Sequence, residues 1–302
     1  MLKLSSIFLK MSKKILHNKT ALITGASSGL GLEISRAFLK EGANLILCSR
    51  SLTSLNKESI ELNKLKKKSQ QIIFISTDIA NKEEIDNLIS KSFEKFEKID
   101  ILVNNAGIIG PKGNFEDLDW DEWIYALKTN FFGSAYLIKK LLPYFKKNNY
   151  GRIIQISGGG ATSPLPFQSI YAASKAGIVR LIETIALEVK DYNISANCIA
   201  PGALNTKILD EYIESGPSKI GKDFYQKILK QRELGGAPIE KAVNLSVALA
   251  SENFPILRGK LLSAVWDDWE NIEQFYGELQ NTDVYTLRRI TAKDRSFKWG
   301  DL

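Results

Sequence analysis

Short apolar runs rich in β-branched residues alternate with longer amphipathic segments from Thr20 onward. A strand buried on both faces needs a continuous apolar run, whereas a helix covering a sheet needs apolar residues at 3.6-residue spacing. The alternation predicts parallel strands joined by crossover helices. Strands are predicted near residues 20–24, 44–48, 72–76, 100–103, 151–156, 193–198 and 260–264. Helices are predicted near residues 29–41, 52–67, 82–97, 119–146 (broken), 170–190 and 239–250.

This order of elements predicts an α/β fold, a doubly wound parallel sheet of the Rossmann type, with about seven strands and helices on both faces. Ligands on such sheets bind outside the carboxyl ends of the strands. We therefore expect the functional residues in the loops that follow the strands.

A single domain is predicted over residues 19–265. Residues 1–18 form an N-terminal extension, expected to be poorly ordered, with an apolar patch too short for a signal-peptide core or a membrane span and with Met11 as an alternative start. Residues 201–238 are too long for a simple turn and are either a substrate lid or an ordinary helical insertion. Residues 266–302 form a polar, aromatic-rich C-terminal arm, expected to pack on a neighbouring subunit or to cover the site.

The composition argues against several classes of protein. The 302 residues, 44% of them hydrophobic, can bury a sizeable core. The net charge is +7, but the lysines are dispersed and the densest run, Lys64 to Lys68, falls at a predicted helix end, so no nucleic-acid partner is expected. No apolar stretch is long enough to cross a membrane, so a membrane is not expected as a partner.

Cysteine and histidine usage excludes two chemistries. Cys48 and Cys198 lie in apolar strand segments and are expected to be buried free thiols in a reducing cytoplasm. His17 is the sole histidine and precedes the fold. We therefore expect neither a His/Cys metal site nor a Ser-His-Asp nucleophile.

A glycine-rich turn, TGASSGLG at residues 24–31, lies between the first strand and an amphipathic helix. Missing side chains let the backbone approach a pyrophosphate at a helix N-terminus, where free N–H groups and the dipole favour an anion. The next strand ends at Ser49 and Arg50, near the position of an adenosine ribose. Ser49 supplies no carboxylate for the 2′-hydroxyl of NAD, and Arg50 can pair with a 2′-phosphate, so NADP(H) is favoured over NAD(H). A surface arginine at a strand end is the alternative for Arg50.

Together these motifs resemble the short-chain dehydrogenase/reductase family, whose patterns are TGxxxGxG, NNAG and YxxxK. They stand here as residues 24–31, Asn104 to Gly107, and Tyr171 to Lys175. Pro201-Gly202 with Thr206 falls where the family closes over the nicotinamide, and the resemblance covers about residues 18–265. Within the family, TGASSGLG and the residues around Arg50 resemble those of 3-oxoacyl carrier-protein reductases, but motifs shared by the whole family do not identify a substrate.

The resemblance implies that Asp78 and Ile79 contact the adenine, that Asn105 flanks the ribose and that Leu204 lies at the carboxamide. For Asp78 a turn residue, and for the asparagine pair a purely structural role, are the alternatives. The expected cofactor contacts are Thr24, Gly25, Ser27, Ser28, Gly29, Leu30, Gly31, Ser49, Arg50, Asp78, Ile79, Asn105, Ala106, Gly107, Tyr171, Lys175, Pro201, Gly202, Leu204 and Thr206.

Tyr171 and Lys175 stand one helical turn apart and project from one face. A phenol is a poor acid or base near neutrality, and a neighbouring cation favours the phenolate. Alone, a Tyr and a Lys at this spacing are usually a surface pair on a helix. Together with the other motifs, they predict Tyr171 as general acid/base, with Lys175 favouring its phenolate. The resemblance implies that Lys175 also bonds the nicotinamide ribose and that Asn130 positions a water in the proton relay, or else lies at a helix kink.

The family's serine, about 13 residues before the tyrosine, falls on Gly158 in this chain. Ser157 is one position early, and adjacent side chains on a strand point to opposite faces. Ser157 is therefore the weakest of the expected catalytic residues, and Ser163 or the glycine N–H groups are alternatives. The glycines equally make room for a bulky substrate.

The sequence predicts an NADP(H)-dependent carbonyl reductase or alcohol dehydrogenase acting on a small polar, sugar or acyl substrate. A dinucleotide-binding regulator or scaffold with little turnover is the alternative, motivated by Gly158. The resemblance implies a homodimer or homotetramer built through the helices near 119–146 and 170–190.

Overall fold

The computed structural model describes residues 14–299, apart from the side chain of Leu52. A parallel sheet of seven strands has the order β3-β2-β1-β4-β5-β6-β7. The strands are β1 (Thr20–Thr24), β2 (Asn44–Ser49), β3 (Ile72–Ser76), β4 (Ile101–Asn104), β5 (Gly151–Ile156), β6 (Ile194–Ala200) and β7 (Leu261–Ser263). The predicted doubly wound α/β fold is confirmed, because each predicted strand is present within two residues of its expected bounds.

The helices are α1 (Gly29–Lys40), α2 (Leu52–Leu65), α3 (Lys82–Lys95), α4 (Trp120–Leu127), α5 (Ser134–Lys147), α6 (Ser169–Glu188), α7 (Lys207–Ile220), α8 (Lys222–Leu234), α9 (Ile239–Ala250) and α10 (Tyr276–Asn281). Local capping explains where several begin. The Asn81 side chain accepts the N–H groups of Glu83 and Glu84, and the Asp119 side chain accepts that of Glu122. These bonds satisfy N–H groups that a helix start leaves unpaired.

The predicted break in residues 119–146 is a π-helical segment, Lys128–Gly133, between α4 and α5. Gly133 lies against the loop after β3, where an added Cβ would come within 2.2 Å of the Ile79 carbonyl oxygen. Such π turns within helices are often found at functional sites. Here the turn carries Asn130.

Two apolar cores lie on opposite faces of the sheet. One contains α1 and α9 residues, such as Phe38 and Leu245, and the other contains α3, α5 and α6 residues, such as Leu88, Phe145 and Ile182. Alternate strand residues contribute to each, as Ile23 and Leu22 show. The crossover helices are therefore fixed on both faces, and the strand ends are left free for ligands.

The structure differs from the expected N-terminal boundary. Residues 14–18 form a turn in which Leu16 is fully buried and its N–H donates to the Glu41 carbonyl at 3.0 Å. This single leucine fits between α1 and the sheet, so the ordered chain begins before residue 19. Residues 1–13 of the predicted extension lie outside the described part.

The described part of the C-terminal arm, residues 266–299, packs on its own subunit. Trp269, Ile272 and Leu279 join the core beside α1 and α9. The N–H of Leu261 donates to the Tyr285 carbonyl at 2.8 Å, so the arm pairs with the exposed edge of β7. Residues 266–299 do not line the cleft at the strand ends of the same subunit. These residues do not cover that cleft as expected, because their apolar side chains complete the core instead.

Within residues 14–299 no helix is both long and apolar enough to cross a membrane. In the same residues no group of three or more His, Cys, Asp or Glu side chains is placed to hold a metal ion.

Two tryptophans of the arm test its packing. Trp269 is 6% exposed and donates from Nε1 to the Ala264 carbonyl, whereas Trp266 is 85% exposed. We expect Trp269→Ala to lower the free energy of unfolding by about 3–5 kcal/mol, because it leaves a cavity. Trp266→Ala, the matched control, should change it by less than about 0.5 kcal/mol. Urea denaturation checks this, and equal effects of both substitutions would contradict the packing.

Candidate active site

A cleft of about 420 Å³ opens at the carboxyl ends of the central strands. β1 pairs with β2 on one side and with β4 on the other, so the crossover connections diverge at this point. Ligands of open α/β sheets bind at such a divergence. The loops after β1, β2, β3, β4, β5 and β6 all contribute to its walls.

The glycine turn packs tightly against the loop after β4. An added Cβ on Gly25 would lie 2.9 Å from Ala106 Cα, and one on Gly31 would lie 2.4 Å from Asn105 Nδ2. Gly25 and Gly29 also have φ of +64° and +56°, a conformation that favours glycine. The turn therefore requires glycine for both space and backbone conformation.

The same turn leaves a helix start open towards the cleft. Ser28 is the N-cap of α1, and its side chain makes no capping hydrogen bond. Ser28, Gly29 and Leu30 line the cleft. The first N–H groups of α1 are thus placed to receive an anion, and the residues present fit the pyrophosphate of a dinucleotide.

Thr24 and Asn105 join the turn to the β4 loop. Thr24 Oγ1 accepts the N–H groups of Asn105 and Ala106, each at 3.0 Å. Asn105 Nδ2 donates to the carbonyl oxygens of Thr24 at 3.0 Å and Gly25 at 3.2 Å. These hydrogen bonds give Asn105 the purely structural role that was the alternative to cofactor contact. The residue also lines the cleft, where a cofactor could reach it.

Arg50 and Asp78 lie at one end of the cleft and are connected through Tyr125. Arg50 Nη1 donates to the Tyr125 hydroxyl at 3.0 Å, which donates to Asp78 Oδ2 at 2.8 Å. Asp78 Oδ1 accepts the N–H of Ala80, as a turn residue does. Thr77 Oγ1 is buried in the same wall without a hydrogen-bond partner. This end of the cleft therefore contains the exposed side chain of Arg50 and the buried Thr77 hydroxyl, which has no hydrogen-bond partner.

Tyr171 and Lys175 lie together on α6, with Lys175 Nζ 5.6 Å from the centroid of the Tyr171 ring. Lys175 is 4% exposed, and its Nζ donates to the Ile156 carbonyl at 3.0 Å. Burial lowers the pKa of Lys175 from 10.5 to about 8.

Burial raises the pKa of Tyr171, which is the opposite of the sequence expectation. Among the described residues the amine of Lys175 bonds the Ile156 carbonyl and not the phenol. The charge on Lys175 is itself disfavoured by burial, so in this arrangement withdrawal from water decides the pKa of both groups.

Asn130 lies behind the Tyr171 and Lys175 pair and is 1% exposed. Its Nδ2 donates to the Ile108 carbonyl at 2.8 Å and to Ser174 Oγ at 3.1 Å, while its Oδ1 accepts the N–H of Ile108 at 2.8 Å. The side chain thus joins the β4 loop to α6. It does not line the cleft.

Gly158, and not Ser157, lies at the Tyr171 hydroxyl. A Cβ added at Gly158 would be 3.1 Å from Tyr171 Oη. Ser157 lines the cleft, but its Oγ is buried without a hydrogen-bond partner and so does not bond Tyr171. This geometry does not support the contact expected of Ser157, because the strand direction places its side chain elsewhere.

Helices α7 and α8, within the predicted 201–238 segment, lie over Tyr171. Leu209, Tyr212, Ile220 and Ile228 form an apolar cluster with Ile109. Partly buried side chains packed against this cluster are Tyr171, Ile208, Ile213, Phe224 and Tyr225. The Tyr212 hydroxyl donates to Gln168 Oε1, at the start of α6. An apolar cover therefore closes over the phenol from this side.

The model of the short chain dehydrogenase family matches residues 19–215. A D-beta-hydroxybutyrate dehydrogenase of Rhizobium meliloti (strain 1021) is 30% identical over 255 residues, covering 81% of this chain and 96% of that protein. The chain belongs to the short-chain dehydrogenase/reductase family. It is an NAD(P)-dependent oxidoreductase acting on CH–OH groups.

Solved structures share the fold. A levodione reductase has a TM-score of 0.75 at 23% identity, covering 84% of this chain and 99% of that chain. An NAD+-bound xylitol dehydrogenase has a TM-score of 0.74 at 24% identity, covering 83% and 98%.

Most of the expected cofactor contacts line the one cleft; Thr24 and Gly31 lie behind its wall instead. Lining residues that the sequence did not assign to the cofactor or catalytic site are Cys48, Ser51, Ser54, Thr77, Ile108, Thr129, Ile156, Lys207, Ile208 and Glu211. Several directly follow or end a strand, a signal that the carboxyl-edge rule supplies. Tyr125 comes from α4, and nothing in its local sequence marks it.

Lys175→Met tests the cost of the buried amine. The pKa of Lys175 in the folded protein lies below its unfolded value. Burying the charged amine therefore lowers the free energy of unfolding by its full amount below pH 8, and this cost disappears as the pH rises towards 10.5. The methionine variant should be more stable than the wild type by roughly 3 kcal/mol at pH 7, a difference that shrinks above pH 8.

Urea denaturation between about pH 6 and pH 9.5 measures this difference. Lys139→Met, at an exposed position of α5, is the control and should show no such trend with pH. A stability difference for Lys175→Met that stays constant over the whole range would contradict the assignment.

Proposed function

We propose that this enzyme interconverts a carbonyl and a secondary alcohol with NADP(H), using Tyr171 as the general acid/base. The observation that carries the proposal is the placement of Tyr171 and Lys175, on one face of α6, in the wall of the cleft that also holds the open start of α1. A dinucleotide and a proton donor are thereby brought to the same space.

The proposed cofactor contacts follow the cleft from end to end. The start of α1, from Ser28 to Leu30, would hold the pyrophosphate, and Arg50 would pair with the 2′-phosphate. Lys175 Nζ bonds one carbonyl and has further protons to donate to ribose hydroxyls. Residues of the segment from Pro201 to Thr206 also line the cleft, and the nicotinamide would lie against them.

When bound, the nicotinamide supplies or accepts the hydride. In reduction, the carbonyl carbon would receive the hydride and its oxygen would take the Tyr171 proton, so that the carbonyl π bond and the phenol O–H bond break while an alcohol C–H and an alcohol O–H bond form. Burial raises the pKa of Tyr171 and keeps the phenol protonated near neutrality, as a donor requires. Protonated Lys175 would then stabilise the phenolate that remains.

Asn130 is proposed as a positioning residue for this pair. Its amide bonds Ile108 on one side and Ser174 on the other, and Ser174 Oγ donates to the Tyr171 carbonyl at 2.9 Å. The β4 loop and α6 are thus held at a fixed separation across the cleft. Asn130 is also proposed to position a water in the proton relay.

A second candidate is a dinucleotide-binding regulator with little turnover. Gly158 favours it, because the residue facing Tyr171 Oη at this position has no side-chain hydroxyl to polarise a carbonyl. The retained Tyr171, Lys175 and Asn130 favour the enzyme. The Tyr171→Phe comparison below separates the two.

We also expect assembly into a homodimer or homotetramer, in the cytoplasm. Trp120, Phe132 and Leu187 are 60%, 54% and 72% exposed, on the two helical regions expected at the interface. Burial of such side chains between subunits is favourable.

Tyr171→Phe tests the proton transfer. We expect kcat to fall about 10²–10⁴-fold with a carbonyl substrate, because the donor is lost. NADPH binding, followed by fluorescence, should be unchanged. Tyr192→Phe, remote on the chain after α6, is the matched control and should keep full activity. Equal, measurable activity of wild type and Tyr171→Phe would refute Tyr171 as the general acid/base, and no turnover by wild type that binds NADPH would favour the regulator.

Arg50→Ala tests the phosphate preference. Loss of a charge-assisted pair should weaken NADPH binding about 10–100-fold. NADH binding should change little. Lys57→Ala removes an exposed positive charge from nearby α2, outside the cleft, and serves as the control. If wild-type protein binds NADH as tightly as NADPH, the preference is refuted.

A further inference from the structure

Tyr125 lies between two charged side chains at the end of the cleft where the adenosine would bind. Arg50 follows β2, Asp78 follows β3 and Tyr125 belongs to α4, so three separate parts of the chain meet here. A hydroxyl has one proton, an ionised carboxylate can only accept a hydrogen bond, and a guanidinium can only donate. The Tyr125 hydroxyl therefore donates to Asp78 Oδ2 at 2.8 Å and accepts from Arg50 Nη1 at 3.0 Å.

The hydrogen bond to Tyr125 restricts the Arg50 side chain. The backbone of Arg50 is already held, because its carbonyl accepts the Ser76 hydroxyl at 3.1 Å. The side chain is exposed, and among the described residues its guanidinium has the Tyr125 hydroxyl as its hydrogen-bond partner. A long side chain that is ordered only when a ligand binds weakens the complex, because it loses rotamer freedom at that moment. Tyr125 removes part of this freedom before the ligand arrives.

The same bond leaves most of the guanidinium available to a phosphate. A guanidinium has five N–H donors in a planar fork, and Tyr125 takes one of those on Nη1. The remaining donors, including those of Nε and Nη2, can bind two oxygens of a phosphate in parallel. Arg50 lines the cleft, whereas Tyr125 does not. An effect of Tyr125 on the cofactor would therefore act through Arg50 and not by direct contact.

The position of Tyr125 is fixed by the elements around it. Two residues earlier in α4, Trp123 Nε1 donates to Ser169 Oγ at the start of α6, at 3.2 Å. The Tyr125 carbonyl accepts Thr129 Oγ1 at 3.0 Å, and the ring is half-buried. The hydroxyl thus projects from a helix that is bonded to α6, the helix carrying the proposed proton donor.

We propose that Tyr125 is a positioning residue for the cofactor. Its hydroxyl holds Arg50 in the orientation that binds the 2′-phosphate of NADP(H), and so strengthens the preference for NADP(H) over NAD(H). This inference rests on the proposed function, because it takes Arg50 as the ligand of the 2′-phosphate.

The experiment measures the dissociation constants of NADPH and NADH by fluorescence for wild type, Tyr125→Phe, Arg50→Ala and the double variant. Tyr125→Phe keeps the aromatic ring and removes only the hydroxyl. Tyr136→Phe is the matched control, because the Tyr136 hydroxyl also donates to a carboxylate, that of Asp86 at 2.9 Å, but on α5 and outside the cleft. NADH binding shows whether each variant is folded with an intact cleft.

We expect Tyr125→Phe to weaken NADPH binding about 3–10-fold, because Arg50 must then be ordered when the cofactor binds. NADH has no 2′-phosphate, and its binding should stay within about twofold of wild type. In the Arg50→Ala background, Tyr125→Phe should change NADPH binding by less than about twofold, because both substitutions remove the same interaction. Tyr136→Phe should change the binding of neither cofactor.

Three results would overturn the inference and leave the proposed function standing: unchanged NADPH binding in Tyr125→Phe, an equal loss of NADH binding, or a loss of NADPH binding that persists in the Arg50→Ala background. The last two would indicate a merely structural role for Tyr125. Wild type that binds NADH as tightly as NADPH would overturn the proposed phosphate preference and the inference with it.

Discussion

The buried amine of Lys175 is the constraint on which the rest of the site depends. A side chain that can carry charge is 4% exposed and has, among the described residues, the Ile156 carbonyl as its hydrogen-bond partner. Burial of such a group costs free energy, so the core must hold α6 firmly against the end of β5. Val179 and Ile182 of α6 pack in the core on that face of the sheet. Strongly perturbed pKa values of this kind concentrate at functional sites. The Tyr171 phenol beside Lys175 is the group that the proposed function pairs with it.

The loop after β4 connects the two ends of the cleft. On one side, Thr24 and Asn105 bind it to the glycine turn, where a pyrophosphate would lie. On the other side, Asn130 binds Ile108 of the same loop to Ser174 of α6. A dinucleotide bound at the start of α1, as proposed, would therefore be placed relative to Tyr171 through one short, hydrogen-bonded segment. Reaction between groups held this way needs little further loss of orientational freedom.

Periodicity was sufficient for the strands and for most helices, because a doubly wound sheet demands apolar runs and amphipathic covers along the chain. The motifs also predicted that Tyr171, Lys175 and the glycine turn lie in one cleft, because the carboxyl ends of parallel strands meet at one edge of the sheet. Local sequence does not reveal partners that are distant along the chain. Leu16, Trp269 and Tyr125 each depend on a neighbour more than 20 residues away, and the direction of the Tyr171 pKa shift depends on burial that only the packed fold creates.

The most direct test of the central claim is a crystal structure of the protein with NADP⁺ bound. The account predicts the pyrophosphate at the start of α1, the 2′-phosphate beside Arg50, and Lys175 Nζ within hydrogen-bond distance of the nicotinamide ribose. The ring should then lie between Tyr171 and the Pro201 to Thr206 segment, with open space beside Gly158. A nicotinamide bound away from the Tyr171 hydroxyl, or a pyrophosphate bound elsewhere than α1, would contradict it.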